Sequence, residues 1–324
     1  MIDRRGWLAG LAAAAASLPA VGQAQGDYPA RPVTVVVPFG AGGSTDAFAR
    51  LVLQRLGTEL GRPFAVDNRF GASGTIGAAT VARARPDGYT LLLTTISAYA
   101  MAPNLLPVPY DNERAFASVG LIGSMPMFLL VGRNHPTRTL EEYVEAARRT
   151  PGRENFANAG TGSSAHLAAE LFFQEAGIRA NDVGYRGAAP AVQAVISGEA
   201  SMTVLPSSAV MGFIASGEVR ALAVASPCRV AMAPGVPSFA EAGLPGVQVS
   251  EDLALLAPAG TPDAVLDRLA SGMAAAMAAP EVRERLLALG VEANIRPRGE
   301  WPAYLRGEVS RWGQLIRARG ISVQ

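Results

Sequence analysis

The sequence predicts an α/β protein made of two units with mainly parallel sheets. Three observations predict it. Apolar, β-branched runs of strand length alternate with stretches of helical periodicity. Glycine-rich turns fall where a strand run gives way to a helix. The chain has 324 residues, 49% of them hydrophobic, enough for two domains or one large one.

The first 26 residues stand apart. Arg4-Arg5 is followed by an apolar stretch, Leu8 to Val21, and then by small residues around Gly22-Gln23-Ala24. These are the three regions of a secretory signal peptide, with cleavage expected near Ala24. The paired arginines suit the twin-arginine route, and the general secretory route stays open beside it. The apolar stretch is shorter than the roughly 20 residues a membrane span needs. The mature protein is therefore expected outside the cytoplasm, in the periplasm, and without a lipid anchor, since no Cys lies near the cleavage region.

The elements of the first unit follow in order. Pro32–Phe39 is a buried-strand run, and a helix follows from about Asp46 to Leu60, with Phe48, Leu51, Val52 and Leu56 at helical spacing. Gly61-Arg62-Pro63 ends it, and residues 64–69 read as a second strand. Residues 71–88 form a glycine-opened helix closed by Pro86-Asp87-Gly88, and Tyr89–Thr95 and Ser124–Arg133 are further strands. In the second unit, Thr139 and Glu142 make a capping box at the start of a helix to Thr150. Strands over 154–160, 181–187 and 200–206 then alternate with helices over 161–177, 188–198 and 207–217, and Glu218–Ser226 is a last strand. After Ala257–Pro262 the chain is helical over Asp263–Ala278, Pro280–Leu289 and Glu300–Arg319. The strands Ser124–Arg133 and Glu218–Ser226 bracket an inserted unit. The lobes expected are 27–125 plus 227–324, and 126–226.

Composition excludes several functions. Charged residues are 17% and the net charge is +1, with no basic face of the kind nucleic acid requires. Every one of the 28 basic residues is Arg, so a P-loop lysine and a Schiff-base lysine are impossible. One Cys, Cys228, and two His, His135 and His166, leave no intrachain disulfide and no Cys/His zinc site. No metal or cofactor is expected.

The turns carry what chemistry there is. Gly40-Ala41-Gly42-Gly43-Ser44-Thr45-Asp46 lies between a strand and a helix, where open α/β sheets bind ligands. The first N–H groups of a helix lack intrahelical partners, and the helix dipole adds partial positive charge. Glycine admits an anion close to the backbone. The loop fits neither the dinucleotide-binding nor the P-loop pattern, and a plain turn capped by Ser44 or Asp46 explains it equally. The device recurs at Gly160-Thr161-Gly162-Ser163-Ser164 and at Gly187-Ala188-Ala189, and Thr94-Thr95-Ile96-Ser97 is a hydroxyl-rich fourth turn. Two walls of such turns suit a small carboxylate. His166, in the first turn of its helix, reads as a local hydrogen-bonding or ligand-facing group. Ser163 or Ser164 with His166 is the one catalytic alternative, an exported hydrolase, but Ser164 and His166 are too close along the chain to face each other easily and no G-x-S-x-G elbow occurs.

Residues 28–52, 67–93, 156–172, 185–199 and 256–269, taken in this order and spacing, resemble the extracytoplasmic solute receptors of tripartite tricarboxylate transporters, the Bug or TctC-like family. The resemblance covers essentially the whole chain from Asp27. It implies a type II periplasmic-binding-protein fold, two lobes with a hinge and a closing cleft. It implies a monomeric receptor, without catalysis or cofactor, that hands a small carboxylate to membrane permease subunits; a sensor kinase is the alternative partner. Carried over, Gly42, Gly43, Ser44, Thr45 and Asp46 line one wall, beside Thr94, Thr95 and Ser97. Thr161, Gly162, Ser163, Ser164 and His166 line the other, with Gly187, Ala188 and Ala189. Three stretches depart from the family pattern: Gly40-Ala41, Gly198–Ser208, and Val249–Pro258, which lacks the Trp often found before its Leu-Leu-Ala-Pro block. Di- and tricarboxylates, acidic amino acids and aromatic acids all stay open.

Overall fold

The computed structural model describes residues 28–323; the leader and its paired arginines lie outside the described residues. Strand β1 (Val33–Val37) leads through the glycine turn into helix α1 (Ser44–Leu60). Gly61 ends α1 in the left-handed region that glycine tolerates, φ 71°. Strand β2 (Phe64–Asn68), helix α2 (Thr75–Ala82) and strand β3 (Thr90–Thr95) follow. Strand β1 lies between β2 and β3, parallel to both. Beyond β3 the chain winds directly into a π-helical turn, Ser97–Met101, and a 3-10 turn, Ala102–Asn104.

Strand β4 (Phe116–Gly132) then runs for 17 residues, roughly 55 Å at strand rise. It starts eight residues before the expected strand because Gly120 and Gly123 break the apolar run in sequence. Gly123 is needed there: a Cβ would come within 3.1 Å of the Phe48 ring and 3.2 Å of Leu253 and Val291.

The inserted elements are helix α3 (Leu140–Arg149), strand β5 (Asn155–Asn158), helix α4 (Ser164–Ala176), strand β6 (Asn181–Gly184), helix α5 (Ala188–Ser197), strand β7 (Met202–Pro206), helix α6 (Ser207–Ala215) and strand β8 (Val219–Val224). The chain returns in strand β9 (Ser250–Pro258) and closes with helices α7 (Asp263–Ala278), α8 (Pro280–Ala288) and α9 (Trp301–Arg319).

The strand order is β2-β1-β3-β9-β4-β7-β5-β6, with β8 also on β4. Strand β4 belongs to both ends. Residues 116–126 pair with β9, and 127–132 pair with β7 and β8. The exchange falls where Pro126 meets Ser250 and Met127 meets Pro206. Proline has no N–H for a ladder, so pairing ends readily there. The expectation of mainly parallel sheets needs correction. Strands β1–β3 and β5–β7 are parallel groups, but β4, β8 and β9 join them antiparallel. A strand that crosses between two parallel groups, beside a segment that crosses back, forces that arrangement. Strand β9 escaped the sequence reading because Glu251-Asp252 opens it and a turn follows its apolar run.

Helices α1, α7 and α8 cover one face of the first group, over Val35, Leu93, Leu253 and Leu255. The other face, over Val36, Leu92, Ala254 and Leu256, is continuous with the core of the inserted unit and with α9. Helix α9 therefore touches both ends: Trp312 is fully buried, and Arg319 pairs with Glu170 on α4. No helix among the described residues is long and apolar enough to cross a membrane.

Candidate functional site

The first glycine turn is held from behind and left open in front. Asp46 is buried, and both its oxygens are occupied. Oδ2 accepts from the Gly42 N–H and the Arg50 Nε–H, each at 2.9 Å, and Oδ1 accepts from Asn68 Nδ2 at 3.0 Å. The Arg50 hydrogen bond holds the Asp46 carboxyl down to about 2, against the effect of burial, and Gly42 and Asn68 act in the same sense as Arg50. Asn68 also donates to the Phe39 carbonyl at 3.1 Å, tying the strand end to the turn. Asp46 was expected to line the ligand wall; it instead points inward and fixes the loop.

Gly40, Ala41, Gly42 and Gly43 are exposed. Gly42 has φ +82°, a conformation that needs glycine. Gly40 has no such need, yet a Cβ on Gly40 or Gly42 would meet nothing within 4 Å. Helix α1 has no side-chain N-cap, and the N–H groups of Ser44, Thr45 and Asp46 find no acceptor among the described residues. Such N–H groups at a helix start are anion donors. Ser44 is half-buried and Thr45 buried.

Beside this turn, Thr95 and Ser97 share a hydroxyl hydrogen bond of 2.7 Å, and the Thr94 hydroxyl is buried with no partner among the described residues. A third loop completes the group. Gly71, Ala72, Ser73 and Gly74 all have positive φ, at 132°, 44°, 53° and 92°. Left-handed backbone at a non-glycine residue costs roughly 1–2 kcal/mol. A Cβ at Gly77 would crowd Pro38 at 2.7 Å and one at Gly74 would crowd Ala98 at 2.9 Å, so this loop sits against the glycine turn and the end of β3.

The second group gathers the ends of β5 and β6. The Tyr185 N–H donates to Asn158 O at 2.9 Å, and Gly160 N–H donates to Asn158 Oδ1 at 2.8 Å. Unlike the α1 start, the α4 start is capped by its own loop. Ser163 Oγ accepts from the His166 N–H at 3.2 Å, and His166 Nδ1 accepts from the Gly162 N–H at 3.0 Å. His166 is buried, stacked on Phe156, with Nε2 3.6 Å from Asp182 and 3.8 Å from Glu170. It is the loop-holding group of the two readings offered, not the ligand-facing one. The imidazole makes no hydrogen bond to Ser163 or Ser164 among the described residues, and its Nδ1 is already an acceptor. Thr161 is exposed; Ser163 and Ser164 are half-buried. A Cβ at Gly162 would collide with Leu105 at 2.9 Å and Val323 at 2.8 Å, so this loop abuts the segment beyond β3 and the C-terminal tail. The start of α5 is open: Gly187, φ 110°, caps it without a side-chain bond, and Ala189 is exposed.

A family model described as "Tripartite tricarboxylate transporter family receptor" matches residues 48–321. The chain belongs to that receptor family. The solved structure of the periplasmic binding protein BugD is similar at TM-score 0.77 and 34% identity, over 92% of this chain and 100% of BugD. MatC from Rhodopseudomonas palustris, solved with malate, gives 0.76 and 33% over 89% of this receptor and 100% of MatC. Rpa4515 from the same organism, solved with adipate, gives 0.80 and 32% over 91% of this receptor and 99% of its own chain. The fold of this receptor is the mixed α/β fold of the periplasmic binding proteins.

Sequence reasoning passed over several residues of the receptor. Arg50 and Asn68 hold Asp46; the Asp46–Arg50 spacing of four was a legible signal. Arg186 is exposed within the β6–α5 turn and forms no ion pair among the described residues. Glu251 and Asp252 are both buried at the start of β9.

Proposed function

We propose that this protein is an exported receptor that binds one small carboxylic acid and delivers it, chemically unchanged, to the permease subunits of a tripartite transporter. One observation carries the proposal: three N–H groups at the start of α1, without a partner among the described residues, behind a turn whose glycines leave open space. A carboxylate there completes the donors without any cationic side chain. The open start of α5 supplies the facing donors, and the self-capped α4 loop holds that wall in shape. Receptors of this family solved with malate and adipate support a carboxylate as the ligand class.

Ligand contacts are assigned to Gly42, Gly43, Ser44, Thr45, Ser97, Thr161, Gly187, Ala188 and Ala189. Asp46 and His166 position the two loops. The lobes proposed are 27–125 plus 227–324, and 126–226, hinged where β4 changes partners. Catalysis is not part of this reading, because Ser163, Ser164 and His166 do not form a nucleophile and base. The site of action is the periplasm, reached with the leader removed near Ala24.

The test is a thermal-shift screen of the mature chain against tricarboxylates, dicarboxylates, acidic amino acids and aromatic acids. One class raising the melting temperature is expected. No shift with any class, from protein whose denatured extract contains no acid by mass spectrometry, contradicts the proposal.

A further inference from the structure

Two hollows flank the outer side of α1, and neither contains a residue assigned to the ligand. The first, about 750 Å³, lies between α1 and β2, with Leu53, Arg62, Phe64 and Val66 in its lining. The second, about 380 Å³, lies between α1 and the end of α8, with Arg285 and Leu289 in its lining. Arg50 and Gln54 line both. No Asp or Glu lines either one. The Arg50 charge is answered by Asp46. Arg62 is exposed and donates only to the carbonyls of Ala30 and Gly61. Arg285 is exposed and has no ion-pair partner among the described residues. The two hollows therefore carry positive charge that the described chain leaves unmatched.

The first hollow runs along an open sheet edge. Strand β2 ends the strand order and pairs only with β1. The Val33 N–H donates to Pro63 O, and the Arg69 N–H donates to Val37 O, so the odd-numbered residues turn their backbone groups toward β1. Alternation then turns the N–H and C=O of Phe64 and Val66 away from β1, and both residues line the hollow. A row of such groups at an edge is a template for another strand.

We propose that the edge of β2 and the hollows beside α1 dock an extended acidic segment of a partner protein, added to the sheet as a further strand. The Phe64 and Val66 backbone groups supply the hydrogen bonds, Leu53 and Val66 supply apolar contact, and Arg62 and Arg285 supply the preference for acid. A second copy of this chain fits less well, because edge-to-edge pairing of two β2 strands brings each copy's Arg62 into the same interface, with no acid in the hollow to offset it. The docking face does not depend on which acid the receptor holds.

The experiment is fluorescence-anisotropy titration of the mature chain with a short labelled peptide that alternates valine and glutamate. Two control peptides carry lysine for every glutamate, or N-methyl groups on alternate backbone amides. The acidic peptide is expected to bind at least about tenfold tighter than the lysine peptide, and N-methylation is expected to abolish binding. Arg62→Glu with Arg285→Glu, both at exposed positions, is expected to weaken the acidic peptide at least about tenfold. Val66→Pro removes one outward N–H without touching the β1 ladder and is expected to weaken it as well. If Val66→Pro fails to fold by circular dichroism, the N-methylated peptide decides the added-strand claim. No binding of the acidic peptide up to about 1 mM, equal binding of the lysine peptide, or undiminished binding in the double arginine variant overturns the inference. So does binding that survives N-methylation. Self-association of the chain in sedimentation, lost in Arg62→Glu, would put a second copy on this edge and overturn it too.

Discussion

At the residue scale, Gly42 and Asp46 divide the work of the first turn. Gly42 supplies a left-handed bend and open space, and Asp46 supplies the anchor behind it. Gly42→Val introduces a branched side chain at φ +82°, strained by roughly 1–2 kcal/mol, and fills the room in front of the α1 amides. Its acid affinity is expected to fall below detection in titration while the fold persists by circular dichroism. Asp46→Asn loses the ion pair with Arg50 and misplaces donors; a cost of about 1–3 kcal/mol is expected in urea unfolding at neutral pH. The Asp46 carboxyl sits at about 2 in the folded chain, below its usual value near 4. Its stabilising contribution is therefore complete above pH ~4 and lost as pH falls toward ~2. Wild type and Asp46→Asn are expected to converge in stability across that window; an equal gap at pH 7 and pH 3 would remove Asp46 as an ionic anchor.

At the element scale, what could be read from sequence was whatever local chemistry decides. Gly42, Gly162 and Gly187 take positive φ values at strand–helix junctions, and junctions of that kind announce themselves in glycine content. The residues that hold the turns could not be read, because their partners come from elsewhere in the chain: Asn68 reaches Phe39 and Asp46, and Arg319 reaches Glu170 across 149 positions. Strand β9 was missed because Glu251-Asp252 opens it, an acidic start that only the pairing with β3 and β4 buries. The ion pair from α9 to α4 gives a test of how firmly the C-terminal helix is attached. Arg319→Ala leaves Glu170 buried beside His166 without its cation, and a loss of about 1–3 kcal/mol is expected in chemical denaturation. No measurable loss would mean that the apolar contacts of Trp312 and Leu315 alone hold α9.

At the scale of the whole molecule, one long strand, the return segment into β9 and α9 join the two ends. Ligand that binds only the folded chain stabilises it by about 2.7 kcal/mol at 100 times the dissociation constant, which corresponds to a melting-temperature rise of several degrees for a chain of this size. Binding and catalysis part company in one measurement: isothermal titration of the mature protein with the acid that gives the largest thermal shift, followed by recovery of that acid. One-to-one binding, lost in Gly42→Val, with the acid recovered unchanged, is the expected result. Saturable binding that survives Gly42→Val undiminished, or an acid recovered as products, would contradict a receptor that grips its ligand through the α1 turn.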